Sequence, residues 1–275
     1  MANTPYPNYV LENKFEDQYN SYLDLMQFCT VDNSLTGGAG FKKKIRTYSA
    51  TTNKTESLKK GEGNTEVIEA SYTETEYETE LLQNQFNWYD EDEMNDPLVV
   101  DTGLNHQAVD MFNTANDKAM AEFTKAEQVV NVTKFDFSSF VDGIAKIKNL
   151  GIRESKEYSG LGLFAIIHSE DVAEIRKELG DLLKYVEAYA RTGYIGTVAG
   201  VNIYISALAT KGTFVIATKQ AVTYFNKKGT EVELITKGAR AKDQANKREN
   251  TCFLRKYGIF ALTDNNYIVK VQKGA

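Results

Sequence analysis

Apolar and polar positions along this chain follow two periods. In Ser71–Leu82 (SYTETEYETELL), Thr73, Thr75, Tyr77 and Thr79 alternate with Glu74, Glu76, Glu78 and Glu80. A period of two sets β-forming residues on one face of a strand and carboxylates on the other. Four like charges along one face repel, so the pattern calls for a basic partner. Phe41–Tyr48 (FKKKIRTY) carries Lys42, Lys43, Lys44 and Arg46 among strand formers, with a Gly-containing turn stretch, Thr51–Asn64, in between. The two runs are predicted to pair antiparallel.

Between Lys42 and Lys60 stand seven basic residues and one acidic one, and between Glu62 and Glu80 seven glutamates and no basic residue. The hairpin is therefore a dipolar arm. Its large apolar side chains, Phe41, Ile45, Val67 and Ile68, are too few to anchor roughly 40 residues on a core of their own. Two readings follow: a solvated hairpin whose limbs face each other, or an arm that lies on something else.

The helical period appears elsewhere. Tyr19, Tyr22, Leu23, Met26 and Phe28 suggest a short amphipathic helix over Glu16–Cys29, after a polar start in which Pro5 and Pro7 favour an extended chain. From Asn105 to Val130, Ala108, Met111, Phe112, Ala115, Ala119, Phe123, Ala126 and Val130 recur at three and four, predicting a helix about 39 Å long at 1.5 Å per residue. Its lean face suits a spine lying across a sheet. Phe140, Ile144 and Ile147 mark another helix, and Asp171–Ala190 a further one. Strand signals fall at Leu161–His168, Val201–Ser206, Gly212–Ala217, Gln220–Phe225, Glu231–Thr236, Cys252–Ala261 and Tyr267–Val271. The fold class is α+β. Two hydrophilic stretches, the acidic Tyr89–Glu93 and the basic Lys237–Glu249, read as a solvated connection and an exposed loop.

At 275 residues and 42% hydrophobic, the chain can bury a sizeable core. A net charge of -6 argues against a surface that grips nucleic acid throughout. No stretch is long and apolar enough to cross a bilayer, and the N-terminus lacks a signal-peptide layout, so a cytoplasmic setting is expected. Cys29 and Cys252 make no framework, and buried free thiols are the simpler expectation.

Candidate chemistry is sparse. His106 and His168 are far apart, no Cys or His pair has zinc spacing, and the carboxylates near Asp92 lack the glycine and alternating ligands of a Ca²⁺ loop. His168 ends an apolar strand, where a structural role is expected. Gly193, Gly196 and Gly200 follow a helix and precede a strand, the reverse of a phosphate-binding order. Trp88 and the sixteen tyrosines are dispersed and offer no stacking platform for bases. No cofactor, metal or catalytic residue is expected.

The run Thr192–Ile235 resembles the C-terminal half of tailed-phage major capsid proteins of the Hong Kong 97 type. It has a strand with an apolar start (Gly200, Val201, Ile203, Ile205), a loop, a strand (Phe214–Ala217), a segment ending near Tyr224 and Phe225, and a strand opening with Glu231, Val232 and Glu233. LGLFAIIHSEDVAEIRK and FLRKYGIFALTDNNYIVKV are similar to neighbouring elements of that family. By layout the resemblance covers the whole chain. It implies an N-terminal arm (1–35), an extended loop (36–85), a peripheral domain with its spine helix at about 105–130 (86–137), an axial domain (138–228) and a return to the peripheral domain (229–275).

The resemblance implies a shell subunit and no enzyme. Copies would form hexamers and pentamers of an icosahedral virion capsid, assembled in the bacterial host cytoplasm around double-stranded DNA that is contacted weakly and without sequence specificity. A separate scaffold, a portal and decoration proteins are further implied partners, and no membrane. In such shells the loop lies over an adjacent subunit, which makes Lys42, Lys43, Lys44, Arg46, Glu74, Glu76, Glu78 and Glu80 the expected inter-subunit contacts. Some relatives crosslink a loop lysine to a neighbour's asparagine, and Lys42–Lys44, Lys54, Lys59 and Lys60 are available here. Alternatives are an encapsulin-type compartment, a ring-forming tail or adaptor protein, and an α+β enzyme using Glu74, Glu76 and Asp96.

Overall fold

The alternating segments assemble into three sheets in a computed structural model that describes residues 23–51, 54–96, 98–149, 162–179 and 194–274. The chain runs through a 3₁₀ turn (Leu25–Phe28), β1 (Thr30–Asp32), β2 (Lys42–Ala50), β3 (Ala70–Glu78), β4 (Glu80–Tyr89), α1 (Asp90–Asn95), α2 (Leu98–Thr124), β5 (Val129–Val132) and α3 (Phe137–Asn149). It continues with β6 (Leu163–His168), α4 (Val172–Leu179), β7 (Tyr194–Val198), β8 (Val201–Ser206), β9 (Thr213–Ala217), β10 (Val222–Ile235), α5 (Lys242–Lys247), β11 (Glu249–Leu262), a 3₁₀ turn (Asn265–Tyr267) and β12 (Ile268–Lys273). Residues 1–22, with Pro5, Pro7 and the first half of the predicted N-terminal helix, lie outside the described residues, as do Gly193 and the second half of the helix predicted over 171–190.

Six strands form one sheet in the order β5-β12-β9-β6-β8-β7, four form another in the order β1-β10-β11-β4, and β2 pairs with β3 alone. Strand β6 is central, and its Leu163–Ile167 are apolar and buried because both its faces are covered. Ala165 and Ile167 face a core with Phe140 and Ile147 of α3, while Phe164 and Ile166 face a core shared with Phe28 and Phe123. That second core also contains Tyr224 and Phe260 of the four-stranded sheet, so the C-terminal half of α2 and the first 3₁₀ turn lie where the two sheets meet. Among the described residues no helix is long and apolar enough to cross a membrane.

The long helix has 27 residues, but it begins seven positions earlier than its apolar face suggests and ends at Thr124. Asp96 sets the start, its Oδ1 accepting the Leu98 amide at 3.0 Å. The end is set by the six-stranded sheet: Val129 and Val130 keep the apolar spacing, yet their segment pairs in parallel with Lys270–Lys273. Residues 25–28 form a 3₁₀ turn rather than the end of an α-helix, capped by Asp24. Asn116 in mid-α2 holds that turn, accepting from Leu25 N at 2.9 Å and donating to Leu23 O at 3.1 Å.

Two further expectations are corrected. Gln220–Phe225 and Glu231–Thr236 are one strand, because β10 crosses Asn226–Glu231 by register shifts instead of turning. The acidic connection and the basic loop are ordered against each other. Asp90–Asn95 is helix α1, and α5 interrupts the basic segment. Arg240 reaches Asp90 and the Asn250 side chain, and Arg248 pairs with Glu91. The glycines of Tyr194–Gly200 serve a hairpin: Ala199 (φ 50°) and Gly200 (φ 84°) make the tight turn between β7 and β8.

Candidate inter-subunit surface

The extended hairpin starts from the predicted pairing. Strands β2 and β3 run antiparallel from Lys42 opposite Glu78 to Ala50 opposite Ala70, with Lys44 opposite Glu76 and Arg46 opposite Glu74. Because side chains alternate, these six residues share one face. Lys42 lies 2.6 Å from Glu76 and 3.4 Å from Glu78, Lys44 lies 2.9 Å from Glu74 and 3.4 Å from Glu76, and Arg46 Nε lies 2.8 Å from Glu74. Each cation bridges carboxylates along the ladder or caps its end, where the Arg46 guanidinium also lies 5.1 Å from the centre of the Tyr72 ring.

The charges therefore answer one another inside the hairpin. Hydrogen bonding from Lys44 and then Arg46 holds the Glu74 carboxyl below its ordinary value, and Lys42 does the same for Glu76. The partners respond in kind: Glu76 pushes Lys42 up, and Glu74 pushes up Lys44 and Arg46. Three cations and three carboxylates leave the face without net charge.

Lys43 and Glu80 belong elsewhere. Lys43 projects from the opposite face, donates to the Ser34 hydroxyl at 2.6 Å and lies 3.6 Å from Asp32. The alternating run breaks at Thr79, whose amide (2.8 Å) and hydroxyl (3.1 Å) both donate to Phe41 O. Glu80 thus opens β4 and pairs with Lys118 of α2. The eight charged residues divide into a six-membered ladder and two struts that fix the root of the arm.

The root is apolar on the other face. Ile45 and Tyr77 pack on Leu35, Phe225 and Ala261, with the Tyr77 ring stacked on Phe225 at 5.3 Å. Tyr77 is the aromatic among threonines in the alternation, the signal that this position touches the body. Beyond the root, residues 46–48 and 70–76 are exposed. At the far end, Glu56 accepts the amides of Thr65 (2.9 Å) and Glu66 (3.0 Å), and Lys54 pairs with Glu66. Val67 and Ile68 are 72% and 63% exposed there. The hairpin projects from the body, to which its root is packed, and carries exposed apolar residues at its far end.

The remaining sequence candidates lie in the body of the chain, His106 on α2. His168 Nδ1 accepts the Glu170 amide at 3.1 Å, capping the turn after β6. Cys29 and Cys252 are both buried and free. Trp88 is buried and stacked on Phe86. Among the described residues no three His, Cys, Asp or Glu side chains converge as a metal site. Glu74 and Glu76 are bound up in the ladder, and Asp96 caps a helix.

No family model matches the sequence, and no curated protein sequence is similar to it. Solved structures do match. The chain is similar to the capsid of the cyanophage P-SCSP1u (12% identity, 90% of this chain and 86% of that one, TM-score 0.68). It is also similar to a chain of Mycobacterium phage Che8 (12% identity, 98% of each chain, TM-score 0.69). A virus-like particle from Pyrococcus furiosus matches at 11% identity over 90% of this chain and 91% of that one, with a TM-score of 0.55. The arrangement is the Hong Kong 97-type capsid fold, α+β in class, with a projecting hairpin and a long helix laid across a sheet.

Proposed function

We propose that this chain is the major capsid subunit of a tailed bacteriophage or prophage, and that it has no active site. The observation that carries the reading is the hairpin: nine paired positions, charge-neutral on one face, leave the body of a phage capsid fold and end in exposed apolar residues. A projection braced by its own charges yet left unburied is suited to a neighbouring copy. The eight charged residues serve the contact indirectly, by keeping the arm straight and fixing its root.

On this reading α2 is the spine helix. The four-stranded sheet beneath it forms the peripheral domain, and the six-stranded sheet with α3 and α4 forms the axial domain. Copies join as hexamers and pentamers, since one modest contact per subunit becomes a stable particle when repeated around a closed shell. The acidic balance suits a container for double-stranded DNA, because a strongly basic lining would hold phosphates and oppose packing and release. A separate scaffold, a portal and decoration proteins are the partners such a shell would use.

A second reading, an encapsulin-type compartment for a protein cargo, draws on the likeness to the virus-like particle, which is lower than that to the phage chains. Content separates the two. Particles produced in an infected or induced host should protect double-stranded DNA from nuclease. Particles that enclose one host enzyme and no DNA would favour the compartment.

A further inference from the structure

Consecutive strand residues point to opposite faces, yet Lys227 and Lys228 of β10 line one cavity of about 410 Å³. The register explains it. Asn226 pairs with Gly258 and Lys228 with Tyr257, so Lys227 is the extra residue of a bulge, which re-aims its side chain. Thr36, Phe41 and Tyr257 complete the lining. Thr36 and Phe41 flank the glycine-rich stretch Gly37–Gly40 that leads from β1 into β2, and the Thr36 hydroxyl donates to Asn226 O at 3.2 Å.

The cavity carries positive charge. Lys227 is half-buried, donates to Leu35 O at 3.0 Å and to Gly38 O, and makes no ion pair among the described residues. Two carbonyls occupy two of its three N–H groups and neutralise none of its charge. Lys228 lies 2.8 Å from Glu231, but that pair is 58% and 39% exposed, and an ion pair so open to water exchanges partners at little cost. Two ammonium groups against one carboxylate leave one positive charge in excess, which favours an anion.

The rings narrow the class of anion. The Lys227 ammonium lies 5.6 Å from the centre of the Phe41 ring, and Phe41 is 51% exposed beside it. Tyr257, half-buried, faces the same cavity from β11. Aromatic faces next to cations suit a ligand with a planar ring and a charged group, as in base stacking with a phosphate held alongside. Gly37 and Gly40 have open space where a Cβ would project, so no side chain there hinders approach to the backbone. The volume falls in the range of about 300–1,000 Å³ usual for small-molecule sites. We infer that this cavity binds a nucleoside monophosphate, with the phosphate on Lys227 and Lys228 and the base against Phe41 and Tyr257.

The inference is independent of the shell reading. Its structural consequence falls on the arm: the ligand would tie β10 to the segment that opens β2, and so steady the root from which the hairpin leaves.

The test titrates AMP, adenosine and inorganic phosphate separately into the purified full chain at low salt, by calorimetry. AMP should bind at one site per chain and about tenfold or more tighter than adenosine or phosphate alone, because both contacts are required. Phe41→Ala and Lys228→Met, at exposed or half-exposed positions, should keep the denaturation midpoint and weaken AMP binding by about tenfold. Lys227→Met should weaken it at least as much. Amide hydrogen exchange over residues 35–42 should slow with AMP in the parent chain and not in Phe41→Ala. AMP that binds no tighter than phosphate, or equally well to the parent, Phe41→Ala and Lys228→Met, overturns the site. A deoxyadenosine oligonucleotide that binds more tightly than AMP would assign the cavity to a nucleic-acid strand and overturn the mononucleotide as its ligand.

Discussion

Asp90 and Arg240, 150 positions apart, meet as a two-toothed ion pair in which Nη1 donates to Oδ2 at 3.0 Å and Nη2 donates to Oδ1. Asn250 donates to the same Oδ1 at 3.0 Å, and its own Oδ1 accepts from Arg240. Arg240 is 7% exposed and Asp90 14%, so water competes little for these bonds. The pair fastens helix α1 to the segment between β10 and β11.

A pH dependence follows. The Arg240 guanidinium, aided by Asn250, lowers the Asp90 pKa from 3.8 to about 2. A depressed carboxyl stabilises the folded state above its unfolded value, and that contribution is lost as pH falls through the folded one. Asp90→Asn should therefore lower the denaturation midpoint at pH 5 to 7, and the gap to the parent chain should narrow between pH 4 and pH 2. A gap independent of pH would show that the carboxylate is not the stabilising form.

The charged ladder makes a prediction about sign. Reversing Glu74, Glu76, Glu78 and Glu80 to lysine should leave the body folded, since only Glu80 touches it, and should stop assembly by driving the limbs of the arm apart. Swapping Lys42, Lys44 and Arg46 to glutamate together with Glu74, Glu76 and Glu78 to lysine should restore both ladder and particles. Particles from the first variant, or none from the second, would show that these charges act on something other than each other.

Gly258 faces Tyr224 so closely that an added Cβ would sit 2.3 Å from its hydroxyl oxygen. The Tyr224 ring is 4% exposed and held against Phe260 at 4.6 Å, so it has little room to move. Gly258→Ala should cost about 1–3 kcal/mol in a denaturant titration.

Asn116→Leu should cost about 1–3 kcal/mol, because the Leu25 amide and the Leu23 carbonyl lose their buried partners. Limited proteolysis should then cut near residue 25 before it cuts α2. Equal resistance in the two chains would mean that the turn is held from elsewhere.

Burial pushes the Cys29 thiol up to about 12, and it raises Cys252 as well. Both should resist a thiol reagent at pH 8 in the native chain and react together in denaturant. Rapid labelling of either in folded protein would contradict their placement in the core.

Much of this was legible in the sequence, for local reasons. The alternation at Tyr72–Glu78 and the basic run at Lys42–Arg46 specify a strand pair and its charge match, and the structure pairs Lys44 with Glu76 as the pattern requires. Strand Leu163–His168 was readable because an apolar run of that length suits a strand covered on both faces. What stayed hidden was non-local or set by a single bond. The alternation runs without a fault through Thr79, yet Phe41 O ends the strand there. Nothing near Tyr89–Glu93 signals that Arg240 and Arg248 will reach it. Within the hairpin the sequence gives the limbs but leaves open whether the glutamates face the same chain or another, and the observed distances put their first partners in the same chain.

The central claim is that copies of this chain close into a shell. The most direct measurement is the mass and shape of the purified recombinant protein, by light scattering and negative-stain microscopy at low and moderate salt, alone and with a co-expressed scaffold. Closed particles of megadalton mass are the predicted result. A monomer or a small fixed ring under every one of those conditions would contradict it.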